Sequence, residues 1–134
     1  MRWVAVACLC AIFPLEIGCR TTTETFPAGL RDVSAARARR TGLWEVRSRE
    51  RSRGFVARYV EEASPARTYF VVQNAEGQDL GIVDALGRAW RYRPHTQEPD
   101  WLTTGTVLAG AEAILDLAGE SVLVELEDDS PSPR

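Results

Sequence analysis

Residues 74–87 read NAEGQDLGIVDALG, and this stretch decides the fold. Asn74-Ala75-Glu76-Gly77 and Asp84-Ala85-Leu86-Gly87 each place Asn or Asp first and Gly fourth. That order suits a type I turn, because the opening side chain bonds the backbone ahead of it and the glycine accepts a left-handed conformation. Between the turns lies room for one strand, with the apolar residues Leu80, Ile82 and Val83. Two turns so spaced predict three consecutive antiparallel strands.

Working outward, short segments rich in Val, Phe, Tyr and Trp are separated by turn residues from Leu43 onward. They predict strands near 43–49, 54–61, 67–73, 79–84, 88–93 and 121–127. In the last, SVLVELE, Val122, Val124 and Leu126 alternate with Leu123, Glu125 and Glu127. Ahead of that strand, Val107, Leu108, Ala111, Ile114, Leu115 and Ala118 recur at helical spacing. Thr103 or Thr104 is placed to cap this helix and Gly119 to end it, with Glu112 and Asp116 on its outer face. Arg31–Arg40 (RDVSAARARR) suits a further short helix, although its apolar face of Val33, Ala35, Ala36 and Ala38 is too small to fold alone. The expected fold class is α+β: a small curved antiparallel meander of about six strands with one amphipathic helix packed on it.

Composition narrows the chemistry. The 134 residues carry a formal charge of −3, and all 16 basic residues are Arg. Without lysine there is no Walker-A lysine, no Schiff-base lysine and no lysine general base. The cysteines, Cys8, Cys10 and Cys19, all lie near the N-terminus, so the remainder can hold neither an internal disulfide nor a Cys-rich zinc site. His95 is the single histidine. No G-x-S-x-G elbow, H-E-x-x-H pair or glycine-rich phosphate loop occurs. Asp84 with Glu98 or Asp100 could supply acid–base chemistry, yet no spacing singles them out among 19 acids. The expectation is a non-enzyme without cofactor or metal.

The N-terminus has a different character. Arg2 precedes an uncharged, mostly apolar run from Trp3 to Leu15, the layout of an export signal. Pro14 and Glu16 break the run short of the ~20 apolar residues a bilayer span requires. The segment Leu15-Glu16-Ile17-Gly18-Cys19 resembles the lipobox of bacterial lipoproteins, in which a small residue precedes a cysteine that is lipidated and becomes the new N-terminus. Glu16 departs from that family, which has an aliphatic residue there. The resemblance implies a signal peptide over 1–18, a diacylglyceryl thioether on Cys19 and an acylated amine, enough chains for stable attachment. Residues 19–30 then form a polar tether, 31–127 the α+β domain and 128–134 a tail. With Arg20 after the cysteine, proteobacterial lipoproteins of this form belong to the outer membrane, facing the periplasm. The expected partners are the membrane itself and an envelope protein or an anionic glycan or lipid.

The most distinctive run inside the domain is Gly87-Arg88-Ala89-Trp90-Arg91-Tyr92-Arg93-Pro94-His95. As a strand it sets Trp90 and Tyr92 on one face and Arg91, Arg93 and His95 on the other. Those three are the candidate ligand-binding residues, for an acidic sugar, a phosphate head group or a carboxylate. An ordinary half-buried strand gives the same alternation. Nucleic acid is not expected for an exported, net-acidic chain. Trp101 is expected to dock its loop on the core, with an exposed aromatic platform for glycan as the other reading.

Charge is also segregated: residues 31–60 hold nine Arg against three acids, and 98–129 hold nine acids and no base. The basic part suits anionic lipid or lipopolysaccharide phosphates. Neutralisation between the two parts within the fold is the other reading. Three functions follow for the domain: a binding or accessory module, an assembly protein that takes a partner on a sheet edge, and a hydrolase centred on His95. The anchor has a direct test. Cells expressing the chain and fed a clickable fatty acid should label it, and Cys19→Ala should abolish the label; a label that survives removes Cys19 as the attachment point.

Overall fold

The computed structural model describes residues 37–62, 67–96 and 98–127. The expected signal segment 1–18, Cys19, the expected tether 19–30, the first part of the helix expected at Arg31–Arg40 and the expected tail 128–134 lie outside the described residues. In chain order the elements are β1 (Ala38–Ser48), β2 (Arg51–Glu61), β3 (Thr68–Asn74), β4 (Asp79–Asp84), β5 (Arg88–Arg91), β6 (Asp100–Thr104), α1 (Val107–Ile114) and β7 (Ser121–Glu125). All seven strands join one antiparallel sheet in the order β6-β5-β4-β3-β2-β1-β7. The fold is the expected small α+β meander with a single helix.

The two matching turns do what their sequences predict. Asn74 Oδ1 accepts the backbone N–H groups of Glu76 (3.1 Å) and Gln78 (2.8 Å). Asp84 Oδ1 accepts those of Leu86 and Arg88, both at 2.9 Å. Gly77 and Gly87 close the turns at φ 77° each, which a side chain would strain.

Period-two alternation sends apolar residues to both faces. On one, Val46, Val56, Val72, Val83 and Ala89 meet Ala111 and Ile114 of α1. On the other, Tyr69, Val71, Ile82 and Trp90 cluster with Ala38, Tyr59 and Tyr92, and Tyr59 stacks on Tyr69 at 5.6 Å between centroids. Helix and sheet approach closely because Gly110 stands where a Cβ would come within 2.8 Å of Val83 Cγ2. In β7 it is Leu123 that faces the helix side, whereas Val122 is exposed.

Five local expectations are corrected. Ala38–Arg40, the end of the expected helix, opens β1 and pairs with Tyr59–Glu61. An alanine–arginine segment favours helix locally, but its small apolar face buries little, and cross-strand pairing places Ala38 against the tyrosine cluster. Strand β6 stands where the sequence predicts a loop; two preceding prolines hide a segment whose hydrogen bonds pair it with β5. Trp101 stands opposite Trp90 on this edge strand and is 37% exposed instead of docked. Thr103 and Thr104 belong to β6, and α1 is capped by Thr106, whose hydroxyl accepts the N–H of Ala109 at 3.1 Å.

The fifth concerns the end of α1. The helix stops at Ile114, well before Gly119. Asp116 takes the left-handed conformation (φ 55°), while Leu117 N–H donates to Glu112 O (2.8 Å) and Asp116 N–H to Ala113 O (3.5 Å). This is a Schellman ending with Asp in the position glycine usually takes. Ile114, fully buried beneath the sheet, is the main packing residue of α1. Ile114→Ala should lower stability by about 2–5 kcal/mol, read as a lower urea midpoint, whereas Val122→Ala should change it by less than about 0.5 kcal/mol; equal shifts would contradict this packing.

Candidate functional site

Strand β5 and its neighbours hold the residues singled out by the sequence. Arg91 lies on the helix side of the sheet. Its Nε donates to Ile114 O at 3.0 Å, its Nη2 donates to the same carbonyl, and Nη2 also pairs with Asp116 Oδ2 at 2.8 Å. A forked cation at the carbonyl end of α1 satisfies groups the helix leaves open and complements its dipole. Arg93 pairs with Asp100: Nε donates to Oδ2 at 2.6 Å and Nη2 to Oδ1. The Arg93 guanidinium holds the Asp100 carboxyl below its usual range, and Asp100 in turn raises Arg93. His95 sits beyond the strand on an exposed turn at φ 65°. It makes no hydrogen bond or ion pair with a described residue.

The three candidates therefore do not share one free face. Arg91 and Arg93 are held by different carboxylates, and His95 stands apart from both. Of the carboxylates considered for acid–base work, Asp84 binds two backbone N–H groups and the Arg88 guanidinium (2.7 Å from Nε), and Asp100 is held by Arg93. Among the described residues no group of three or more His, Cys, Asp or Glu is placed to hold a metal ion. Tyr92 carries the aromatic side of the run into the second cluster.

A different set of arginines is unengaged. Strands β1 and β2 are joined by Arg49 and Glu50, both left-handed at φ 51° and 63°, the geometry of a two-residue turn whose twist matches the strands. Ser48 pairs with Arg51 and Arg47 with Ser52, but Val46 pairs with Gly54. Arg53 is thus the extra residue of a β-bulge, a device that re-aims a side chain. Arg47 is occupied by Glu45 at 2.5 Å. The Ser52 hydroxyl and then Arg47 hold that carboxyl below its usual range. Arg49, Arg51 and Arg53 are exposed and make no ion pair with a described residue.

Arg49 and Arg53 line a cleft of about 420 Å³ together with Ser48 and residues 116–120 of the segment after α1. No pattern rule exposes this site from sequence, because a bulge and a left-handed turn create it. The nine-Arg segment was its one visible signal. Compared with known proteins, the chain matches no family model, no curated protein and no solved structure.

Tyr92 offers a readout of the packing around this strand. Burial, then the Asp79 carboxylate and Tyr69, push its phenol up from 10.0 to about 12. The folded chain therefore keeps a proton that the unfolded chain gives up, so stability should fall as pH rises through the interval from about 10 to about 12. Tyr69 is raised as well, chiefly by burial. Tyr92→Phe should accordingly make that fall shallower without removing it, measured by urea midpoints across the interval; an unchanged slope would contradict the assignment.

Proposed function

We propose that the chain is an exported lipoprotein held to a membrane through a lipidated Cys19, and that its domain is a non-catalytic binding module. In a Gram-negative cell this places it at the outer membrane, facing the periplasm. The contact end is the tip of β1 and β2. One observation carries the reading of that end: Arg91 and Arg93 already hold carboxylates, whereas Arg49, Arg51 and Arg53 hold none. Exposed guanidinium forks recognise carboxylates and phosphates in bidentate fashion. In a chain of net charge −3, three unpaired cations at one end of a hairpin are a local feature and not a general polycation effect. The exposed, unpartnered His95 and the occupied Asp84 and Asp100 support a role without catalysis.

An assembly role has an observation of its own. The sheet is open, β6 and β7 are its edges, and Trp101 and Val122 are exposed there. A partner strand could add to either edge.

Phosphocellulose chromatography of the full chain in detergent tests the binding end. The wild type should be retained at low salt in spite of its net negative charge. The variant Arg49→Ala, Arg51→Ala, Arg53→Ala should pass through, and Arg93→Ala should be retained. Retention of the triple variant like the wild type would overturn the proposal, and a wild type that fails to bind would do so as well.

A further inference from the structure

The cleft between the β1–β2 tip and the segment after α1 carries both signs of charge in a defined arrangement. Arg49 reaches it from the left-handed turn and Arg53 from the bulge. The segment after α1 adds Asp116 and Glu120 to the lining. Asp116 is already neutralised by Arg91 at 2.8 Å. Glu120 is exposed and makes no ion pair with a described residue. The unbalanced groups of the lining are therefore two guanidiniums from the β1–β2 tip and one carboxylate from the segment after α1, with the Glu50 carboxylate next to Arg49 outside the lining.

Backbone geometry singles out the same place. Five non-glycine residues among those described have positive φ, and Arg49, Asp116 and Glu120 of these line the cleft, while Glu50 adjoins it. The hairpin turn accounts for Arg49 and Glu50 and the Schellman ending for Asp116, so these conformations set the shape of the cleft. Ser121, next to Glu120 and paired across the sheet with Ser48, has a buried hydroxyl without a partner among the described residues. Ser48 itself lines the cleft.

We propose that this cleft binds a phosphate group that carries a neighbouring primary ammonium, as in a phosphoethanolamine head group. The phosphate lies between Arg49 and Arg53, and the ammonium faces Glu120. A phosphate alone meets the repulsion of Glu120, and an amine alone meets that of two arginines. Only the zwitterion satisfies both. The inference names a ligand for the binding-module reading and rests on it. Its failure is separable, because resin retention reads the charge of the tip and a titration reads the cleft.

The test is calorimetric titration of the full chain in non-ionic detergent. The probes are glycerophosphoethanolamine, glycerol phosphate, ethanolamine and a short-chain phosphatidylethanolamine. Glycerophosphoethanolamine should bind saturably and glycerol phosphate more weakly, with ethanolamine inert. If the acyl chains add affinity, the source is a lipid; if they add none, the source is a soluble head group, and both outcomes support the site. Arg53→Ala should weaken binding by roughly tenfold or more, the scale of one lost charge-assisted contact, and Arg53→Lys by less. Glu120→Gln should cancel the preference over glycerol phosphate while leaving phosphate binding in place. The proposal is overturned if no probe binds saturably. It is equally overturned if Arg53→Ala and Glu120→Gln bind every probe as the wild type does.

Discussion

Six strands of this sheet follow one another in sequence, and the seventh must be reached by a crossing. The chain leaves β6 at one edge and enters β7 beyond β1 at the other. Six steps between strands amount to about 29 Å, whereas the eight residues of α1 cover about 12 Å. The remainder falls to the segment Leu115–Glu120, which has to run out from the helix end in one defined direction. Arg91 supplies that direction. Its guanidinium spans the terminal carbonyl of α1 and the carboxylate of Asp116, tying strand β5 to the first residues of the crossing segment.

This clamp links the packing of the sheet to the shape of the cleft. Ile114 seats the helix on the Val83 and Ala89 side, and Gly110 lets it approach. Arg91 and the Schellman ending then turn the chain at Asp116, so that residues 116–120 face the tip of β1 and β2. The arginines consequently divide by task. Arg88, Arg91 and Arg93 hold the acids and turns of the domain together. Arg49 and Arg53 are delivered to solvent by a turn and a bulge and remain available. Within the acidic part, Asp116 and Asp100 are taken by Arg91 and Arg93, which lie outside the basic part, and the tip of β1 and β2 keeps its cations.

Much of the fold was legible because it rests on local chemistry. Asn74 and Asp84 announce their turns, alternation announces β2 to β4, and a 3.6-residue period announces α1. What was missed rests on tertiary contact. Ala38–Arg40 looks helical and becomes strand once Glu61 and Tyr59 lie alongside; β6 has no alternating pattern and exists through its bonds to β5. Gly119 is the helix stop the spacing predicts, but Asp116, a residue type that tolerates the left-handed region, takes that position and meets Arg91 with its carboxylate. The candidate site was harder. Alternation correctly opposed Arg91 to Trp90, yet nothing in the spacing revealed that Asp116 and Asp100 would occupy Arg91 and Arg93.

The central claim is that Arg91 acts as a structural clamp for the crossing segment and not as an arm for ligand. Hydrogen exchange of the Arg91→Gln variant, compared with the wild type residue by residue, tests it most directly. The account predicts faster exchange at Leu115, Leu117 and Ser121, whose N–H groups are bonded at 2.9, 2.8 and 3.0 Å, with the β2–β3 amides unchanged. Unchanged protection through Leu115–Ser121 would contradict it.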